Sequence, residues 1–422
     1  MTPATSNAPA VSGPLGWFRQ ATPEAKRALA AACLGWMLDS FDVNLYALVV
    51  ASVMADLALD KATAGLIGSL SLVTAALGGI LFGMAADRFG RARALTGSIL
   101  VYSVFTGACG LAQTAGHLLA CRAVLGLGMG GEWAAGAALV SETWPAEHRG
   151  KALGVVQSSW AVGYAAAAVV TQVVLPRWGW RAVFFVGVLP ALVTVWMLRR
   201  VAEPQVWRAS RRAARGVAAR PGLGAMFRGP MLRLTVFVTL MNACTLYGYW
   251  AFTQWVPAYL ELGPAQGGLG LGHYKTALLV AMNVGMWFGY VAFGLLSDHL
   301  GRKRTYVTYV LAAALSVMAF ASMRAPLALL VVLPFVGFFG AGYFSGFGAV
   351  TAEIYPTAIR ASAQGLTYNL GRIVSAAAPW TVGALAAAHG FTAAFATAAA
   401  AFLLAAVAWI GIPETRGRSL DA

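Results

Sequence analysis

Apolar positions run through this 422-residue chain in blocks of about 20, separated by short polar gaps. A helix of that length crosses the ~30 Å hydrocarbon core of a bilayer at 1.5 Å per residue. The pattern predicts twelve spans, near 28–55, 63–86, 94–113, 117–143, 150–175, 181–200, 233–260, 273–297, 305–323, 326–354, 361–387 and 390–412. The longest polar gap, 201–232, carries Arg208, Arg211, Arg212, Arg215, Arg220 and Arg228 and divides six spans from six. It reads as a linker with some amphipathic helix on the membrane surface. The expected organisation is a terminal segment 1–27, a six-helix bundle 28–200, the linker 201–232, a second six-helix bundle 233–412 and a tail 413–422. The terminal segment lacks the short apolar core of a cleavable signal peptide.

The two halves repeat at a fixed offset of 211 residues. Gly83, Asp87, Gly90 and Arg91 match Gly294, Asp298, Gly301 and Arg302. Gly126 and Gly131 match Gly337 and Gly342; Glu142, Pro145, Arg149 and Gly154 match Glu353, Pro356, Arg360 and Gly365; Gly179 matches Gly390 and Glu203 matches Glu414. Parallel six-span repeats are related by an axis along the membrane normal, which places a substrate path at their interface.

Composition sharpens this picture. With 59% hydrophobic and 11% charged residues the chain is neither a soluble enzyme nor a disordered or fibrous protein. The formal charge of +15 alone would suit nucleic acid. Its distribution argues otherwise: 23 of the 30 Lys and Arg fall in segments on one side, five on the other (Lys61, Arg177, Arg181, Lys275, Arg324), and two inside spans. The positive-inside rule then puts both termini in the cytoplasm of a bacterial inner membrane. The cysteines (Cys33, Cys109, Cys121, Cys244) lie in apolar runs without metal or redox spacing and read as packing residues.

The doubled loops carry a family resemblance over essentially the whole chain past residue 25. GMAADRFGRAR at 83–93 and GLLSDHLGRKR at 294–304 resemble the signature loop of the major facilitator superfamily. SETWPAEHRGKALG at 141–154 and AEIYPTAIRASAQG at 352–365 resemble its loops after spans 4 and 10, and PETRGRSL at 413–420 resembles the end of sugar porters and metabolite–proton symporters. The resemblance implies an all-α membrane protein with two pseudo-symmetric six-helix bundles and a monomeric state. It also implies a cytoplasmic charge network that gates the inner face: Asp87, Arg88, Arg91, Glu142 and Arg149, repeated as Asp298, Arg302, Glu353 and Arg360. His299 departs from the usual arginine of that loop.

Five ionisable residues fall inside spans: Asp39, Asp42, Arg122, Glu132 and Arg372. A charge at a span centre costs roughly 2.5–3.5 kcal/mol on insertion scales, so each calls for a partner or an aqueous cavity. Asp39 and Asp42 share a helical face with Tyr46. DSFD at 39–42 resembles span 1 of aromatic-acid and sialate symporters, and Asp42 also matches the span-1 aspartate of sugar porters. Arg122 opens RAVLGLG, which resembles the span-4 motif of proton-coupled members, and stands 20 residues before Glu142, as in sugar porters. An Asp42–Arg122 pair is therefore the expected proton-coupling site, with Asp39 and Glu132 (in GMGGEW) as further proton carriers. A static buried ion pair is the plainer alternative. NLGRIVSAAAP around Arg372 resembles span 11 of organic-acid symporters. A guanidinium fork suits a carboxylate, although pairing with Glu132 or an aspartate would also satisfy it.

Polar and aromatic stripes complete the candidate substrate wall: Gln157, Trp160 and Tyr164 in span 5; Asn242, Thr245 and Tyr249 in span 7; Asn283, with Trp287, in span 8; Tyr368 beside Arg372. Helix–helix contact is the competing use of such stripes. The expected activity is not enzymatic, since the five histidines lie at span ends or in loops and do not cluster. It is proton-coupled uptake of a small organic anion (lactate, sialate or an aromatic acid) by alternating access. No cofactor is expected beyond the proton, and the expected partners are the anion, protons and lipid, not nucleic acid. The rival reading is a sugar–proton symporter, opposed by Arg372 and by a span 7 without the sugar porters' glutamine motif. A membrane sensor or enzyme is remoter.

Overall fold

The computed structural model describes residues 16–189, 191–192, 194, 196, 200–203, 226–355 and 360–416. Most of the expected linker, and the side chains of Asp87, Arg149 and Arg360, lie outside the described residues. Every regular element among the described residues is helical. Lipid offers the backbone no hydrogen-bond partners, so a spanning segment must satisfy its own. Polar caps start several helices: Thr22 accepts from the Ala25 N–H at 3.2 Å, Asp60 from Thr63 at 2.7 Å and Thr114 from His117 at 3.2 Å.

Ten stretches among the described residues are long and apolar enough to cross a membrane. Spans 1 to 4 are Pro23–Asp56, Lys61–Phe89, Arg91–Cys109 and Ala115–Thr143. Span 7 is Gly229–Thr253 followed by Val256–Glu261, span 8 is Lys275–Leu300 and span 9 is Arg302–Ser322. Span 10 is Pro326–Gly342 with Phe344–Ile354. Span 11 begins as Arg360–Ser375 and is interrupted at 376–377.

Two stretches each contain a reversal, which accounts for twelve crossings. Ala146–Val186 holds Gly179 at φ 73° and ψ 177°, and Ala378–Ala408 holds Gly390 at φ 81° and ψ 166°, conformations open to glycine alone. The contacts trace the first turn. The Trp160 carbonyl meets Ser40, Arg181 reaches Asp56 at the far end of span 1, and Gly187 is back beside Asp42 and Thr106. Span 5 therefore runs 146–178, and span 6 begins at 180. Spans 11 and 12 are separated in the same way.

The 211-residue repeat is a repeat of helix crossings. Gly126 lies against the Ser71 carbonyl and Gly337 against that of Met282; Gly78 lies against Leu127 and Gly289 against Phe338. Each partner stands 211 residues from its counterpart. Glu203 accepts the N–H groups of Ala92 and Arg93 at 3.2 and 3.1 Å, and Glu414 those of Arg302 and Lys303 at 2.8 and 3.1 Å. Each carboxylate thus caps the third helix of its own half. Partial burial pushes the Glu414 carboxyl up, but the N–H groups of Arg416, Arg302, Lys303 and Thr415 outweigh it and hold it below the usual range. Large apolar side chains such as Leu111, Leu315 and Ile410 face outward, as a lipid-facing surface requires.

A Cβ at Gly337 would strike the Met282 carbonyl, whereas nothing lies within 4 Å of one at Gly365. Gly337→Ala is expected to cost about 1–3 kcal/mol as spans 8 and 10 are forced apart. Gly365→Ala should leave the thermal unfolding midpoint in detergent unchanged or slightly higher.

Candidate functional site

The five intramembrane charges form a chain of electrostatic neighbours, Arg122 beside Asp42, Asp42 beside Asp39, and Asp39 beside Glu132 and Arg372, and each is at most 4% exposed. Span 1 supplies Asp39 and Asp42. Both oxygens of Asp39 and one of Asp42 have no hydrogen-bond partner; the other Asp42 oxygen accepts from Thr106 at 3.3 Å. Span 4 supplies Glu132, packed where Gly35 leaves room for its carboxylate, with one oxygen unpartnered. Asp39 and Glu132 lie within electrostatic reach of each other.

The expected Asp42–Arg122 salt bridge is not formed. Arg122 senses Asp42 but stacks on the Tyr46 ring at 4.7 Å, with its Nε and Nη1 unpartnered. Tyr46 is fully buried and donates to the Ala64 carbonyl at 2.7 Å. Its place is under Arg122 within the first half, not on a substrate wall.

Arg372 comes from the second half. It sits in the last turn of Arg360–Ser375, just before the break in span 11. A cation there faces the negative end of the helix dipole. Its guanidinium lies 5.5 Å from the Tyr368 ring, its Nε is unpartnered, and it forms no ion pair among the described residues. The expected alternative, a bridge to Glu132 or an aspartate, is absent there; Asp39 is only within electrostatic reach.

The halves meet along span 5. Trp160 donates its indole N–H to the Tyr249 hydroxyl at 2.7 Å, Gln157 faces Tyr290, and Tyr164 donates to the Thr253 carbonyl at 3.4 Å. Trp36 lies between Trp133 and Trp160, 4.7 Å from each, and Trp160 approaches Trp250 edge-on at 6.4 Å. Phe344 meets Tyr249 edge-on at 5.2 Å. The indole N–H groups of Trp36 and Trp250, and the amide oxygens of Asn242 and Asn283, are buried without partners. Groups so placed normally find a hydrogen bond, and a bound ligand would supply one.

Other expectations shift. Thr245 donates to the Met241 carbonyl at 2.6 Å and accepts from Tyr306 at 3.1 Å, so it joins helices inside the second half. Trp287 is 40% exposed on the lipid-facing side. Spacing alone did not single out Trp36, Trp133, Trp250, Tyr290 or Phe344. Trp36 is three residues before Asp39, and Tyr290 is seven after Asn283, on the same helical faces.

At the basic end, the ion pairs among the described residues each stay within one half. Arg91 binds Glu142 at 3.0 Å; Arg302 binds Asp298 at 2.5 Å and Glu353 at 3.1 Å. Arg88 is exposed beside Phe89. Further bonds between the halves lie at mid-membrane and towards the opposite end: Ser69 to the Trp380 N–H at 3.1 Å, Lys275 to the Leu48 carbonyl at 3.1 Å and Lys61 to the Gln266 carbonyl at 2.9 Å.

The sequence profile described as Major Facilitator Superfamily matches residues 32–283 and 260–421. The chain is 32% identical over 387 residues to a cis,cis-muconate transport protein of Acinetobacter baylyi, covering 90% of this chain and 92% of that one. It is 29% identical over 365 residues to the sialic acid transporter NanX of Escherichia coli, covering 86% and 88%. A partially occluded inward open structure of the xylose transporter XylE from E. coli superposes with a TM-score of 0.77, at 19% identity and over 94% of this chain and 100% of that one, a likeness of fold. The chain belongs to the Major Facilitator Superfamily, and is a transporter rather than an enzyme.

Proposed function

We propose that this transporter takes up a small organic anion together with protons, by alternating access across a bacterial inner membrane. The observation that carries the reading is Arg372, a buried guanidinium between the two halves with no carboxylate of the described residues on it. A substrate carboxylate would supply the missing partner through a charge-assisted, two-pronged hydrogen bond. Muconate and sialic acid, named for two relatives, are both carboxylates. A sugar gives no reason to keep such an arginine at this depth. The shelf of Trp36, Trp133 and Trp160 supports a flat, unsaturated side group over a small aliphatic one, because ring faces reward stacking.

Charge balance supports the coupling ion. Asp39, Asp42 and Glu132 carry three negative charges against two positive ones on Arg122 and Arg372. One proton neutralises the set, and an entering monoanion calls for one more. Protons moving inward would supply about 2.3 kcal/mol per charge per 100 mV. The basic end is taken as cytoplasmic from the charge distribution. The halves are then latched at the outer face, and rocking about the centre would release Lys275 from Leu48 and Lys61 from Gln266.

The test is uptake into proteoliposomes driven by an inward proton gradient, across 4-hydroxybenzoate, cis,cis-muconate, lactate, sialate and glucose. Saturable acid uptake is expected; saturable glucose uptake with no acid uptake would sink the reading. Arg372→Ala is expected to raise the KM for the acid about 10–100-fold, from the loss of hydrogen bonds worth about 1.5–3 kcal/mol. Arg372→Met should raise the KM at least as much yet match or exceed the wild-type melting temperature, since an apolar residue replaces an unpaired buried charge. Asp42→Asn is expected to lose gradient-driven accumulation while keeping acid exchange; accumulation that still follows the gradient would move coupling to Asp39 or Glu132.

A further inference from the structure

A cavity of about 460 Å³ opens between the halves at the end opposite the basic loops. Thr171 and Gln172 line it from span 5, and Glu261, His273, Lys275 and Thr276 from the second half. Pockets of roughly 300–1,000 Å³ hold small organic ligands. Two features distinguish it from a surface dent. The Thr171 hydroxyl is buried and has no hydrogen-bond partner, and the Lys275 ammonium, on a residue only 7% exposed, is held between the Glu261 carboxylate at 2.5 Å and the Leu48 carbonyl at 3.1 Å. Glu261 shows what Lys275 accepts: a carboxylate, in a pocket with space and polar groups beside it.

We infer that this cavity is an outer binding site for organic carboxylates, in which the incoming acid displaces Glu261 from Lys275. This rests on the reading of the protein as an organic-anion transporter with its basic end inside. The exchange has a mechanical result. Lys275 belongs to the second half and Leu48 to the first, so an acid that draws the ammonium into the cavity loosens a bond that latches the outer face. Capture of the acid and release of the outer gate then become one event.

Gln172 is exposed on the rim, so Gln172→Cys reports occupancy by its rate of reaction with a membrane-impermeant thiol reagent added outside, above the wild-type background. External 4-hydroxybenzoate is expected to slow labelling with a defined half-protection concentration. Lys275→Gln should raise that concentration about tenfold, in line with one charge-assisted hydrogen bond. Glu261→Gln, which leaves Lys275 without its internal carboxylate, should lower it. Arg372→Ala should leave it unchanged. No protection, protection indifferent to both Lys275→Gln and Glu261→Gln, or protection lost with Arg372→Ala would overturn the proposal. Labelling reads occupancy rather than uptake. A protein that takes up no acid but shows the expected protection pattern would sink the transport reading and leave the outer site standing.

Discussion

A charge inside hydrocarbon has no water to answer it, and the architecture is arranged around that cost. Each of the five intramembrane charges is placed where two or more helices meet, away from lipid. Three of the four on the first half have partial answers, a hydroxyl for Asp42, a ring for Arg122 and a glycine-lined recess for Glu132, while Asp39 has no hydrogen bond. Arg372 has a tyrosine ring and little else. Partners left out of the folded chain are a standing cost, reduced when a ligand supplies them. The same logic extends to the indole and amide groups around the centre, which are buried and unsatisfied together.

Much of this was legible in the chain. The spans, their number and the repeat follow from hydrophobic periodicity and from paired residues at one offset. The intramembrane charges stand out because they are rare and expensive. The structure adds the meaning of some pairs: Gly126 and Gly337 admit a neighbouring backbone, Gly179 and Gly390 turn the chain, and Glu203 and Glu414 cap a helix.

What the chain did not reveal is who faces whom. Helical spacing assigns a residue to a face but not to a neighbour. Thr245 and Tyr249 share a face of span 7, yet one bonds inside its own half while the other reaches Trp160 across the interface. Tyr46 continues the face of Asp39 and Asp42, yet it ends beneath Arg122. Trp36 and Trp250 were hidden for another reason. In so apolar a sequence an indole looks like packing, and only its unpartnered N–H marks it as more.

The two capping carboxylates have a further mechanical effect. Glu203 stands where the chain leaves the first half and Glu414 where it leaves the second, and each is tied back to the loop between the second and third helices of that half. Each bundle is thereby fastened to itself at its exit, like a parcel whose string is knotted before the loose end runs on. A pull beyond Glu203 is taken up at that knot before it reaches the sixth helix, and a pull beyond Glu414 before it reaches the twelfth. On the proposed alternating-access reading, each half would then tilt as a stiff body.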